Sequence, residues 1–109
     1  MKYLTSLIQT ALDGFGTMNY AFHYQKPSSF AAPYAVWQEQ MEESFHSDNS
    51  KSERSLQGVI DFYTQSENDL KLDEIEMALD SMKASWSLTS VQYEDLTELI
   101  HYTWDWSVT

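Results

Sequence analysis

The sequence predicts an α+β fold in which an antiparallel or mixed sheet of about five strands carries two helices on one face. Two observations lead to this prediction. Apolar residues recur at helical spacing in two separate segments, and they alternate with a period of two in the segments between and after them. The resulting element order is α-β-β-β-α-β-β. At 109 residues, the chain fits a single domain with one hydrophobic core.

The first helix is predicted near the N-terminus, where five apolar residues share one face of a helix of about 12 residues: Leu4, Leu7, Ile8, Ala11 and Leu12. We expect Gly14 to end this helix in the left-handed conformation, because glycine has no Cβ. Residues 19–24 then predict a strand with Tyr20, Phe22 and Tyr24 on one side.

Two further strands follow, separated by a polar stretch. Pro33 favours an extended entry into the second strand, residues 34–41. The third strand is predicted at residues 54–64, where Gly58 indicates a bulge or a close approach of another backbone. Residues 42–55 between them are rich in Ser, Asp, Asn and Glu, and we interpret them as a protruding hairpin arm or mobile loop.

A second helix is predicted after the third strand. Ser66 and Asp69 have the spacing of a capping box at its start. Its apolar stripe consists of Leu72, Ile75, Leu79 and Met82. Asp73 and Glu74 lie early and Lys83 late, which is the polarity that the helix dipole favours.

The last segment carries the strongest alternation. Residues 86–91 predict a short strand, residues 92–98 a turn and residues 99–108 the final strand. One face of that strand carries Ile100, Tyr102, Trp104, Trp106 and Val108. A base-stacking platform would need a basic groove, and residues 84–109 contain no Lys or Arg, so we interpret these rings as core or as core extended into an interface.

Charge and composition limit the possible partners. The chain has 17 acidic and 6 basic residues, a formal net charge of -11, which disfavours direct affinity for nucleic acid or anionic membranes. There are no cysteines, which permits an intracellular location. The N-terminal segment is too polar for a signal-peptide core and too short to span a membrane, so the sequence predicts a soluble cytoplasmic protein.

No catalytic, cofactor-binding or metal-binding motif is predicted. Gly14 and Gly16 lack the third glycine and the preceding strand of a dinucleotide site. His23, His46 and His101 have no metal-ligand spacing, and His46 with Asp48 would supply only two ligands. The paired acids are sequence neighbours, which is typical of a solvated surface. The sequence therefore predicts a protein that is not an enzyme, needs no cofactor and works by binding other proteins.

The order of elements resembles a known family. A short helix precedes a proline and an aromatic-led strand (PYAVW, residues 33–37), an arm with Ser-Asp-Asn (residues 47–49), and a strand with a polar end (IDFYT, residues 60–64). An acidic helix at residues 72–82 and a strand of alternating aromatics, HYTWDW at residues 101–106, complete it. Over nearly its whole length the chain resembles the tail completion proteins of long-tailed bacteriophages and prophages, also called tail terminator or tail-to-head joining proteins.

The resemblance implies a virion structural protein that is present in the host cytoplasm before assembly. It implies a mixed sheet flanked by helices and a homo-oligomer, a hexameric ring, that caps the tail tube and contacts the tail-tube and head-connector proteins. We expect interface residues in two places: the arm, with Glu42, Glu43, Phe45 and Asp48, and the loop at residues 25–32, with Lys26 and Phe30.

An alternative function follows from the charge alone. A compact acidic protein can imitate DNA and inhibit a host restriction or CRISPR nuclease by occupying its basic channel. Such an inhibitor needs carboxylates at roughly phosphate spacing, about one charge per 1.7 Å of duplex axis, on one continuous face. The sequence leaves this alternative open because folding decides which carboxylates share a face.

Overall fold

A computed structural model of the protein describes residues 2–40 and 55–109. The elements are α1 (Lys2–Phe15), β1 (Ala21–His23), β2 (Tyr34–Gln40), β3 (Leu56–Thr64), α2 (Lys71–Ser81), β4 (Ser85–Glu94) and β5 (Leu99–Val108). Within these two ranges the strands form one five-stranded sheet in the order β1-β2-β3-β5-β4. Only β1 and β2 pair in parallel, and the other neighbours are antiparallel. The predicted α+β fold with a mixed sheet is confirmed.

The core lies between one face of the sheet and the two helices. From the sheet, Trp37, Ile60 and Trp104 are at most 3% exposed, and Phe15 of α1 is fully buried. The Phe15 ring lies 4.7 Å from the Trp37 ring and 5.4 Å from the Trp106 ring, so that α1 packs through an aromatic cluster. Large rings bury much apolar area, and α1 therefore supplies the apolar surface against which the aromatic side chains of β5 are buried.

Gly14 does not cap α1, and that prediction is wrong. The helix continues to Phe15, and none of the described glycines has a positive φ. A Cβ on Gly14 would lie 2.2 Å from both Cγ and Sδ of Met82. The glycine is therefore needed for close packing between α1 and the end of α2 rather than for a left-handed turn.

The first strand is shorter than predicted. It spans Ala21–His23, because Asn19 and Tyr20 form a turn before it and Tyr24 follows it with a φ of 74°, outside the extended region. His23 stacks on Trp37 at 3.9 Å, which places it on the helix-covered face of the sheet.

The predicted capping box at Ser66 is also wrong. The residue before α2 is Leu70, and no side chain caps the helix from that position. Asp69 instead accepts a hydrogen bond from the Lys71 backbone N–H through Oδ1 (2.9 Å) and one from the Thr64 hydroxyl through Oδ2 (2.7 Å). Asp69, rather than Ser66, therefore accepts a backbone hydrogen bond from the first turn of α2, and the buried Thr64 hydroxyl holds its carboxylate in place.

The other features predicted for α2 are largely found. Ile75 and Leu79 of the apolar stripe are fully buried. Asp73 and Glu74 lie in the first turn, but the helix ends at Ser81, so Lys83 follows it with a φ of 61° and is not part of its last turn.

The fourth strand is longer than predicted, and residues 92–94 belong to it rather than to a turn. β4 pairs with β5 from Ser85 opposite Ser107 to Glu94 opposite Leu99, and the turn is confined to residues 95–98. Thr89 is an extra residue between the paired Leu88 and Ser90. This bulge reverses the alternation along the strand, which the sequence prediction of residues 86–91 did not indicate.

The remaining strand predictions hold where the structure describes them, except that Ser55 lies outside β3. β5 has the predicted bounds, and β3 begins at Leu56. Gly58 marks a close approach, since a Cβ there would lie 2.2 Å from the Gln38 carbonyl oxygen and 2.4 Å from the Trp106 ring. The predicted arm, except for Ser55, lies outside the described residues. In the described part of the chain, no helix has the length and apolarity to span a membrane.

Candidate protein-interaction surface

One face of the sheet is packed against the helices, and the other is not. Along β3, buried residues alternate with half-buried or exposed ones, and the less buried set faces away from the helices. We call this second surface the open face. None of its described residues on β2, β3 and β5 is buried: Tyr34, Val36, Gln38, Gln40, Gln57, Val59, Asp61, Tyr63, Leu99, His101, Thr103, Asp105 and Ser107.

A row of stacked rings crosses the open face. Tyr34, Tyr63 and His101 lie directly opposite one another on β2, β3 and β5. The Tyr34 and Tyr63 rings are 4.9 Å apart and inclined by 26°, and the Tyr63 and His101 rings are 4.3 Å apart and inclined by 19°. Strand pairing therefore sets the spacing of a three-ring stack, which we call the aromatic row.

Carboxylates hold the His101 end of this row. The His101 Nε2 lies 2.9 Å from Asp61 Oδ1, and its Nδ1 lies 3.4 Å from Glu94 Oε2. The Thr103 hydroxyl donates a hydrogen bond to the same Asp61 oxygen at 2.7 Å. Side chains on β3, β4 and β5 thus restrain the imidazole from both sides, which fixes its orientation in the stack.

The two tyrosines of the row keep their hydroxyl protons over a wide pH range. Burial, with a further contribution from the Asp61 charge, raises the pKa of Tyr63 to about 12. Burial and the Glu94 charge also raise the pKa of Tyr34. Both side chains therefore offer a neutral hydroxyl beside an aromatic surface, a combination that is common at protein interfaces.

The open face continues into a shallow polar groove. Its volume is about 460 Å³, and its open-face side chains come from four strands: Gln40, Gln57, Ser85, Ser87, Asp105 and Ser107. Amides and hydroxyls can both donate and accept hydrogen bonds. The open face thus combines an aromatic row with a polar groove that suits a hydrogen-bonding partner.

A second titratable cluster lies at the end of β2. Glu39 accepts a hydrogen bond from the Tyr24 hydroxyl and lies 2.8 Å from His23 Nε2. Burial alone raises the pKa of Glu39, but the hydrogen bonds from Tyr24 and His23 outweigh it and leave the pKa below its ordinary value. The cluster therefore holds an ionised carboxylate where the described part of β2 ends.

Three carboxylates of α2 accept hydrogen bonds from aromatic side chains rather than only facing solvent. Glu74 accepts from the Tyr20 hydroxyl at 2.7 Å, Glu76 from the Trp104 indole at 3.0 Å, and Asp80 from the Trp86 indole at 2.8 Å. Sequence reasoning missed these pairs because the partners of Glu74 and Glu76 lie 54 and 28 residues away, and because Asp80 and Trp86 lie on either side of the end of α2. The only signal was the coexistence of an acidic helix with several indole and phenol donors.

The residues predicted as interface fall into two groups. Glu42, Glu43, Phe45 and Asp48 lie outside the described residues, and so does the possible His46 and Asp48 pair. Lys26 extends over the Tyr34 ring, with Nζ 5.0 Å from its centroid, at one end of the aromatic row. Phe30 packs edge-on against Phe22 at 4.8 Å and is half-buried against the core. An interface role for these residues stays a prediction.

The sequence did not identify the aromatic row. Tyr34, Tyr63 and His101 lie on the opposite parity from the core residues of their strands, and His101 was considered as a possible metal ligand. The available signal in the sequence was a large aromatic ring at a strand position that alternates with the core positions and so faces solvent. Only strand order could show that the three rings meet.

Among residues 2–40 and 55–109, no group of three or more His, Asp or Glu side chains is arranged to hold a metal ion. No protein-family profile and no curated protein sequence matches the chain.

Proposed function

We propose that this protein is a structural component of a long-tailed phage or prophage virion, in which it completes the tail and joins it to the head connector. The proposal rests on the resemblance described above and is supported by the fold: the helix, three strands, helix and two strands follow in the expected order. The mixed sheet, with both helices on one face, also agrees with that family's architecture.

The observation that carries the proposal is the open face. A sheet surface with the Tyr34, Tyr63 and His101 stack offers large rings whose positions are already restrained before a partner binds. Restrained side chains lose little conformational entropy on binding, which favours association. Such a surface suits a protein whose work is to hold neighbouring proteins together.

The acidic charge would serve the passage of DNA. Six copies at -11 each would carry a formal charge of 6 × -11, or -66, around a hexameric ring. Carboxylates lining a channel would repel DNA and keep it from adhering to the wall. A closed ring also requires two different surface patches that meet between neighbours. The open face and the predicted arm would be two such surfaces.

The test is inactivation of the gene in an inducible phage or prophage, followed by electron microscopy of the particles. We expect filled heads and separate tails, and joined virions should reappear when the wild-type gene is supplied in trans. Joined, infectious particles at wild-type numbers without the gene would overturn the proposal.

Two variants connect this phenotype to the open face. Val59→Lys places a charge on the open face between the aromatic row and the polar groove, and we expect it to fail in complementation. Met77→Lys is the matched control, because Met77 is 66% exposed on α2. Circular dichroism and thermal unfolding should show that both variants fold. Equal complementation by the two variants would exclude the open face from assembly.

The same system addresses the DNA-mimic alternative. A tagged copy of the protein should capture tail-tube and connector proteins from induced cells if the proposed function is correct. Capture of a host nuclease, with binding that weakens steeply as salt rises, would favour the inhibitor instead.

A further inference from the structure

The two edges of the sheet differ in length and in protection. β1 forms one edge and has three residues, whereas β4 forms the other and has ten. In the described ranges, β4 pairs only with β5. Proteins usually protect a long edge strand with lysine, proline, brevity or a β-bulge, and of these devices β4 has only the bulge at Thr89. β4, with the sequence SWSLTSVQYE, contains neither Lys nor Pro and only one charged residue, Glu94.

This edge also carries exposed apolar side chains. Leu88 is 45% exposed, Val91 53% and Tyr93 60%. All three face the helix-covered side of the sheet, because they pair with Trp104, Tyr102 and Ile100 of β5. They lie on a strand whose outer backbone groups have no strand partner among the described residues, so apolar surface and hydrogen-bonding capacity coincide along one edge.

The bulge at Thr89 makes the strand symmetric about its own centre. Before the bulge, Trp86 and Leu88 face the helix side; after it, Val91 and Tyr93 face the same side. Counted from the midpoint between Thr89 and Ser90, Leu88 and Val91 are equally distant, as are Trp86 and Tyr93. A strand without a bulge would place the members of such pairs on opposite faces.

We propose that β4 pairs antiparallel with β4 of a second copy of the chain, about a two-fold axis perpendicular to the sheet between Thr89 and Ser90. Directly opposed residues of an antiparallel pair share a face. This register places Trp86 opposite Tyr93 of the second copy and Leu88 opposite Val91 of the second copy. The two sheets join into one of ten strands, with all four helices on the same side.

Charge favours a second copy at this edge over most other surfaces of the chain. A protein with a net charge of -11 repels itself wherever carboxylates face each other. In the proposed register the only charged residue of β4, Glu94, lies opposite Ser85 of the second copy. The two Glu94 side chains are then at opposite ends of the strand pair, roughly 30 Å apart, well beyond the screening length at physiological salt.

The inference does not rest on the proposed function. A two-fold pair is closed and needs one patch that is complementary to itself, whereas a ring needs two different patches. Because the two-fold axis is perpendicular to the sheet, the pair presents both open faces on one side. The open face thus remains available to a third protein.

Sedimentation velocity of the purified chain, from about 1 to about 200 µM, tests the pairing directly. We expect a reversible dimer. The double variant Leu88→Lys/Val91→Lys places lysine opposite lysine in both symmetric contacts and should weaken dimerisation at least tenfold. The double variant Leu88→Lys/Val91→Glu places each lysine opposite a glutamate and should restore much of the affinity. Leu96→Lys, in the adjacent turn and 98% exposed, is the control and should dimerise like the wild type.

Each contrary result overturns the proposal. A wild-type monomer across the whole range excludes the pairing, and so does a dimer that is unaffected by the double-lysine variant. Failure of the lysine and glutamate variant to recover excludes the two-fold register. Amide hydrogen exchange tests the pairing on the wild-type protein, without depending on whether a variant folds. Protection of the outer β4 amides should rise with protein concentration. Constant protection would exclude the pairing.

Discussion

The indole Nε1 of Trp104 donates a hydrogen bond of 3.0 Å to Oε2 of Glu76, and Trp104 is only 1% exposed. The acidic helix is therefore attached to the most aromatic strand through the polar atom of a core residue. The pairs Tyr20 with Glu74 and Trp86 with Asp80 repeat this arrangement on either side. The apolar stripe of α2 packs inward while its carboxylates satisfy ring donors at the margin of the core.

Glu76→Ala should destabilise the fold by about 1–3 kcal/mol, because it leaves the buried indole N–H without its acceptor. Glu76→Gln retains a carbonyl oxygen at the same place and should cost clearly less. Urea unfolding followed by tryptophan fluorescence measures both free energies of unfolding. Equal losses for the two variants would mean that charge, rather than the hydrogen bond, is what α2 supplies here.

Gly58→Ala should lower the free energy of unfolding by an amount at the upper end of about 1–3 kcal/mol, the usual range when a methyl group is added to a well-packed core. The new Cβ would meet the Gln38 carbonyl oxygen at 2.2 Å, and a paired backbone cannot easily move away. Gly14→Ala is the matched comparison. Its Cβ would meet the flexible Met82 side chain, and alanine favours the helix by about 1 kcal/mol over glycine. Urea unfolding should place the Gly14 variant well above the Gly58 variant in stability.

The Glu39 cluster predicts a stability change in acid. The pKa of Glu39 is lower in the folded protein than its ordinary value, so the ionised carboxylate stabilises the fold above about pH 4.3. That contribution is lost as the pH falls through the lower, folded pKa. Glu39→Gln should therefore be less stable than wild type near neutral pH, and the difference should shrink in acid. Asp95→Asn, in the exposed turn, is the control in the same thermal unfolding series.

Tyr63 predicts a complementary change in alkali. Its pKa is raised to about 12 in the folded protein, so the unfolded chain ionises first as the pH rises above about 10. The fold should lose stability between these two values. Tyr63→Phe removes this group, and its stability relative to wild type should increase between about pH 10 and pH 12. An unchanged difference across that range would show that the Tyr63 hydroxyl ionises equally readily in both states. Unfolding curves at matched ionic strength provide the measurement.

The helices and strands that the sequence predicts correctly are those in which apolar residues recur with one period over the whole element. β5 alternates over its whole length, and its predicted and observed bounds agree. The stripe of α2 also follows one period, with Ile75 and Leu79 fully buried. For β4 the sequence predicts only residues 86–91 and does not indicate the bulge at Thr89, after which the alternation is reversed. A local pattern cannot indicate an extra residue whose existence depends on the partner strand.

Only part of the candidate interaction surface could be predicted from the sequence. Lys26 was predicted and lies over Tyr34, at one end of the aromatic row. Tyr34, Tyr63 and His101 were not, because residues 34, 63 and 101 become neighbours only through the order β2-β3-β5. The sequence pattern shows that these strand positions face away from the core, but it does not show which of them become neighbours.

The sequence by itself determined the fold class, the presence of both helices, the aromatic final strand and the net charge of -11, because these depend on composition and on periods within one segment. Tertiary structure alone decided the roles of Gly14 and Gly58, the acceptor for the buried Trp104 indole and the meeting of rings on the open face. Each of these is a contact between residues far apart in the chain. Such contacts depend on which backbones approach and in which register, and that follows from packing the whole core at once.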